Sequence, residues 1–219
     1  AFRAKQVHEW VWKKSLTSFD EMTNISKETR SLLENNFVFN TLKVDAKQTS
    51  TDGTIKCAFK LYDNNIVEGV LIPTPKRKTA CISTQVGCSL ACEFCATGKL
   101  KRVRNLSYDE IYDQVVEINN FSKENYGTGL TNIVYMGMGE PLLNYKNTME
   151  SINKITSPNG LGMASKRITI STAGIAKMIK KLGDDNAKFN LALSLHASND
   201  EKRNKIMAIN EQNILASLA

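Results

Sequence analysis

From about Thr51 the apolar residues of this chain fall at every second position. In TIKCAFKLYDNNIVEGVLIPT, Ile55, Cys57, Phe59 and Leu61 alternate with polar neighbours, the chain turns at Asp63-Asn64-Asn65, and the pattern resumes through Ile66, Val67 and Val70. A period of two on either side of a turn predicts a β-hairpin with one buried face, closed here by Pro73 and Pro75. Cys57 falls on the apolar side, as a core thiol. Ahead of the hairpin the spacing is helical: Val7, Trp10 and Val11 share one face of AKQVHEWVWKKSL. SKETRSLLENNF opens with Ser26 three residues before Thr29, an incomplete capping signal.

Beyond the hairpin, short apolar runs alternate with amphipathic stretches. TACIST, TNIVYMG, KRITIST and FNLALSL predict strands, and SYDEIYDQVVEINNFS, YKNTMESINKIT and AGIAKMIKKLG predict helices. Ser107 and Glu110 form a capping box for the first helix. Strand, helix, strand in repetition requires parallel pairing with crossover helices, so the fold class is α/β, as a barrel or an open sheet. The expected division is a helical module over 1–46, a hairpin and connector over 47–78, and the α/β unit over 79–219. With four strand candidates in that unit, the fourth is expected to leave an exposed edge. Chemistry in such folds collects at the carboxyl ends of the strands. There the cysteine loop CSLACEFCATG follows the first strand, GMGEP the second, STAG the third and SLHA the fourth.

Composition narrows the setting. With 42% hydrophobic and 23% charged residues, the chain of 219 residues has the make-up of an ordinary globular protein. No apolar run approaches a membrane span, and AFRAKQVHEW lacks the apolar stretch of a signal peptide, so a cytoplasmic protein with no membrane partner is expected. A net charge of +7 suits a polyanionic partner such as RNA or DNA. The five cysteines, an odd number with three crowded together, argue against a secreted disulfide framework.

Cys88, Cys92 and Cys95 are spaced C-x3-C-x2-C. A structural zinc site needs four ligands, and the two histidines, His8 and His196, are both remote in sequence. Three thiolates on one loop suit a 4Fe-4S cluster whose fourth iron stays open for a substrate or cofactor. This spacing, with Phe94 just before the last cysteine, resembles the signature of the radical S-adenosylmethionine (SAM) superfamily. There the open iron binds the amino and carboxylate groups of SAM, and an electron from the cluster cleaves SAM to a 5'-deoxyadenosyl radical. ISTQVGCSLACEFCATG, VYMGMGEPLLN, RITISTAGI and LSLHASNDEKRNKIMAIN, in this order, are similar to the dual-specificity adenine-C2 methyltransferases of 23S ribosomal RNA and transfer RNA. The likeness extends over nearly the whole chain, including the helical start and EGVLIP.

The resemblance implies a partial radical SAM β/α barrel with a small amino-terminal accessory domain that recognises RNA. It implies that Cys88, Cys92 and Cys95 ligate the cluster, and that Gly139 and Glu140 meet the amino group of SAM. Ser171, Ser194, Leu195 and His196 then contact its ribose and adenine, while Asn144 is expected to cap the following helix. Cys81 matches a cysteine that closes a disulfide on a methyl-carrying cysteine near the carboxyl terminus, releasing product. Glu68 matches the proton acceptor that the reaction requires; read without the resemblance, it is an outward-facing strand carboxylate. A flavodoxin- or ferredoxin-like reductant and a monomeric full-length protein follow from the same likeness. PKRK and GKLKRVR, flanking the cysteine strand and loop, are candidates for tracking RNA phosphates or simply solvated loops.

The sequence departs from the family in two respects. No cysteine follows Cys95, and Ala208 stands where proline is expected. The chain reads either as a fragment of a longer enzyme or as a truncated product, in both cases unable on its own to methylate RNA. Two alternatives stay open: a C8-adenine methyltransferase of the same superfamily, and an inactive RNA-binding protein holding zinc through the three cysteines and one histidine.

Overall fold

The computed structural model describes residues 2–39 and 42–218. The helical start folds as α1 (Phe2–His8), a turn of π-helix over Glu9–Lys13, and α2 (Lys27–Asn36). Ser26 caps α2 by accepting from Thr29 N–H at 3.3 Å. Val7, Trp10, Val11, Leu33 and Phe39 close over Phe19, Met22 and Ile25, a small core separate from the main one. It is fastened by Trp12, whose ring stacks on Tyr108 at 5.6 Å and meets Tyr112 edge-on at 5.1 Å, while the Tyr112 hydroxyl donates to Trp12 O.

Four antiparallel strands follow: β1 (Lys43–Thr49), β2 (Ile55–Lys60), β3 (Ile66–Pro73) and β4 (Lys78–Cys81). The expected hairpin is β2–β3, with Cys57 fully buried. The hydrophobic pattern did not reveal β1, because all seven of its residues are exposed and it joins the sheet through backbone hydrogen bonds at the edge. After β4 come the short pair β5 (Gln85–Val86) and β6 (Arg104–Asn105), then α3 (Tyr108–Tyr126), β7 (Asn132–Tyr135), α4 (Tyr145–Thr156), β8 (Ile168–Thr172), α5 (Ala176–Asp184) and β9 (Asn190–Leu193). The chain continues through α6 (Asp200–Ile206) and α7 (Leu215–Leu218).

The main sheet runs β1-β2-β3-β4-β7-β8-β9, with β4, β7, β8 and β9 parallel. The four predicted strands and their crossover helices are therefore all present. Ile111, Val115 and Ile118 of α3, Ile152 and Ile155 of α4 and Leu182 of α5 pack against Phe59, Leu71, Ile82, Ile133, Tyr135, Ile168 and Ile170 on one face of the sheet. Burial of these side chains supplies the main driving force for the α/β unit. The expected edge is there: β9 has one neighbour, and its Leu191 and Leu193 are exposed.

Two local expectations are corrected. Asn144 makes no side-chain cap to α4; its Nδ2 donates to Thr84 O at 2.8 Å and Leu106 O at 2.7 Å, tying two buried connections together. Arg104, the last residue of GKLKRVR, is not a free cation. It pairs with Asp63 at 2.6 Å and with buried Glu110 at 2.7 Å, which holds the Asp63 carboxyl well below the ordinary carboxylate range. Glu110 also accepts from Ser107 N–H at 2.9 Å, so the capping box and this ion pair share one carboxylate.

Candidate active site

Sheet register sorts the candidate residues by face. Val70 is opposite Lys56 and Cys81, Cys81 is beside Val134, and Val134 is beside Thr169. Partners across a ladder point to the same face, and so do residues two apart along a strand. Glu68, Cys81, Ser171 and Ser194 therefore all lie on the face that the helices leave uncovered. Ser171 Oγ and Ser194 Oγ are 3.3 Å apart. Glu68 sits toward the carboxyl end of β4, one step from Cys81, and its carboxylate is 48% exposed and paired with Lys56 at 2.7 Å. Cys81 is half-buried, and burial pushes its thiol up to about 11.

The cysteine loop is closed at its base by β5 and β6, which pair Gln85 with Asn105 and Val86 with Arg104. Inside it, Cys95 N–H donates to Cys92 O at 3.0 Å, and Ala91 adopts a left-handed φ of 48°. Gly98 lies so close beneath that a Cβ would come within 2.8 Å of Cys92 O and 2.9 Å of Cys92 N. Cys88 and Cys92 are raised by burial, Cys92 to about 11, and the neighbouring cysteines and Glu140 add to both shifts. Cys88 and Cys92 thus resist ionisation unless a positive group joins them. Among the described residues, no three His, Cys, Asp or Glu side chains converge to hold a single metal ion.

GMGEP forms the turn after β7. Gly139 has φ +94°, and a Cβ there would lie 2.6 Å from Gln85 Cγ, while Glu140 N–H donates to Gln85 Oε1 at 2.8 Å. Glu140 is 3% exposed, accepting from Leu142 N–H at 3.0 Å and Ala173 N–H at 2.7 Å, and burial raises its pKa. Its carboxylate thereby links the ends of β7 and β8. His196, with φ 57°, packs its ring on Phe94 at 4.1 Å, joining the end of β9 to the cysteine loop. Leu195 beside it is exposed.

The structure thus gathers the cysteine loop, GMGEP, STAG, SLHA, Cys81 and Glu68 at one end of the sheet. Sequence reading did not single out Gln85, which anchors the GMGEP turn, or Arg203, which lies buried behind the ends of β8 and β9. Arg203 occurs in SNDEKRNK, where neighbouring charges suggest a solvated helix.

Comparison with known proteins agrees with this geometry. Residues 82–219 match the Radical SAM superfamily, and residues 1–39 match the ribosomal RNA large subunit methyltransferase N-terminal domain. A probable dual-specificity RNA methyltransferase RlmN of Cytophaga hutchinsonii is 66% identical over 98% of this chain and 59% of its own length. Its counterpart in Oceanobacillus iheyensis is 43% identical over 95% of this chain and 59% of its own. The crystal structure of a radical SAM methyltransferase from Sphaerobacter thermophilus superposes with a TM-score of 0.92 at 37% identity, covering 99% of this chain and 64% of that one. The chain thus spans about three fifths of the length of the curated relatives it matches.

Proposed function

Because this chain belongs to the radical SAM superfamily, we propose that it forms the amino-terminal part of an RNA methyltransferase that makes 2-methyladenosine in 23S rRNA and tRNA. Membership implies a 4Fe-4S cluster and SAM, which when bound supply the one-electron cleavage that starts the chemistry. The residues present fit that pair. Cys88, Cys92 and Cys95 are three neighbouring thiols on one loop, a ligand set that suits a 4Fe-4S cluster with one iron left open. Ser171, Ser194 and His196 offer polar groups at adjoining strand ends for ribose and adenine, and the Gly139–Glu140 turn lies beside them. The observation that carries the reading is the gathering of these groups with Cys81 and Glu68 at one end of the sheet.

Glu68 is the group placed to take a proton from the target base. It is an exposed carboxylate whose sole ion-pair partner among the described residues is the equally exposed Lys56, so it can turn toward a substrate entering over the sheet. Cys81 lies one step away as a thiol whose pKa is raised by burial. Once deprotonated it attacks the sulfur of the methyl-carrying cysteine, the S–S bond forming as the S–C bond to the product breaks, with the electron pair leaving on the modified base and a proton completing the new methyl group. The RNA assignment is supported by the names of the relatives, the matched amino-terminal domain, and the exposed cations Lys76, Arg77, Lys99, Lys101 and Arg102 flanking the cysteine strand and loop. The wording GEPLLN favours C2 over C8.

The test is mass spectrometry of 23S rRNA and tRNA from cells whose full-length protein carries Glu68→Ala or Cys81→Ala. Each substitution is expected to lower 2-methyladenosine by roughly 100-fold or more while the purified protein keeps its iron. Unchanged 2-methyladenosine contradicts the assigned roles, and 8-methyladenosine in the unaltered strain assigns the C8 alternative.

A further inference from the structure

Arg203 is fully buried and has no part in the chemistry described above. Its Nε–H donates to Leu195 O at 3.1 Å, one terminal nitrogen donates to Ser194 O at 3.2 Å and to Ala173 O, and the other donates to Asn210 Oδ1. Asn210, also fully buried, donates in turn to Asp200 Oδ1 at 2.9 Å and Asn204 Oδ1 at 2.6 Å. All four acceptors of the guanidinium are thus neutral carbonyl oxygens. No carboxylate among the described residues lies within ion-pair distance of it.

The three backbone carbonyls, of Ala173, Ser194 and Leu195, belong to the carboxyl ends of β8 and β9. Ala173 is gripped from both sides, its N–H by Glu140 at 2.7 Å and its carbonyl by Arg203. Gly174 leaves the space, since a Cβ there would lie 3.3 Å from the Arg203 terminal nitrogen and 3.0 Å from Leu193 Cδ1. The helix that carries Arg203 also reaches the cysteine loop: Glu93 N–H donates to Ile206 O at 3.0 Å, and Met207 packs with Cys92 and Ala173. One short helix therefore touches the loop that carries the thiols and both strand ends assigned to SAM.

We propose that Arg203 is a positioning residue. Its planar fork locks the ends of β8 and β9 together and, through α6, holds them in register with the cysteine loop. A lysine keeps the charge but offers no fork to reach several carbonyls at once. The lock itself follows from the hydrogen bonds; its consequence for SAM rests on the function proposed above.

The experiment compares hydrogen exchange in the unaltered chain and in Arg203→Lys. We expect exchange about 10-fold faster or more, together, in peptides spanning residues 92–95, 173–174 and 194–196, with α3 and α4 unchanged. A rise confined to α6 overturns the lock. If Arg203→Lys does not fold, Asn210→Ala, which removes one of the four guanidinium acceptors together with the Asn210 contacts to Asp200 and Asn204, is read in the same way. In a second arm both proteins are loaded anaerobically with iron and sulfide and titrated with SAM. Equal iron with SAM binding weakened roughly 10-fold is expected, and equal SAM affinity overturns the consequence for the cofactor. If the unaltered chain takes up no cluster, the cofactor site proposed above fails in this chain, and the exchange arm still decides the lock.

Discussion

Gly98 shows how much a single residue can control. Its Cα lies against the backbone of Cys92, and a methyl group at 2.8 Å from Cys92 O must push the loop outward. Gly98→Ala is therefore expected to lower cluster affinity roughly 10-fold, read as iron and sulfide retained after desalting, with little loss of helical signal. Asp113 on α3 makes the opposite kind of statement. Burial raises its pKa to about 7, and Asp109, Glu117 and Glu110 add to the shift. It faces a cleft of about 280 Å³ between α3 and the accessory helices, lined also by Trp12, Tyr108 and Tyr112. A carboxyl whose folded pKa exceeds its ordinary 3.8 stabilises the fold while protonated, and that contribution is lost as pH rises from about 4 through about 7. Asp113→Asn should flatten this decline and gain on the order of 2 kcal/mol at pH 8, measured by urea unfolding across that range. An identical pH profile in the variant contradicts the assignment. Asp63 acts in the other direction: its pKa is depressed chiefly by the Arg104 hydrogen bond, so its contribution is present above about pH 4 and lost in stronger acid.

At the scale of elements, the parallel strands and crossover helices were legible from their apolar runs and helical spacing, and α3 also carries its own start signal. Ser107–Glu110 is the clearest, and it forms as read. What stayed hidden follows from the same physics. β1 shows no alternation because neither of its faces is buried, and Asn144 resembles a cap while serving as a strut between loops. α6 reads as a solvated charged helix because its single buried residue is an arginine, whose burial depends on carbonyls contributed by distant strand ends. The departure at Ala208 also has a local meaning. Ala208 opens a short 3-10 helix over Ala208–Gln212, is exposed, and follows Met207 in extended conformation with φ −142° and ψ 92°. Such a first position accepts proline without losing a hydrogen bond, and the extended residue before it is compatible with proline. Ala208→Pro is expected to stabilise the chain by about 0.5 kcal/mol, seen as a higher thermal midpoint; a lower midpoint means that this turn differs from the one described.

Across the whole molecule, sequence spacing identified the cysteine loop, and the register of the sheet explains why residues far apart in the chain, Glu68, Cys81, Ser171 and Ser194, share one uncovered face. That assembly was not legible from local pattern alone, because period-two alternation specifies a face for each strand but not which strands are neighbours. The most direct measurement is anaerobic reconstitution of this chain with iron and sulfide, reduction in the presence of SAM, and assay for 5'-deoxyadenosine, beside a control in which Cys88, Cys92 and Cys95 are all alanine. We expect about four irons and four sulfides per chain, with SAM cleavage that disappears in the control. Zinc without sulfide, or cleavage that persists without the three cysteines, contradicts a cluster held by this loop and a SAM site at these strand ends.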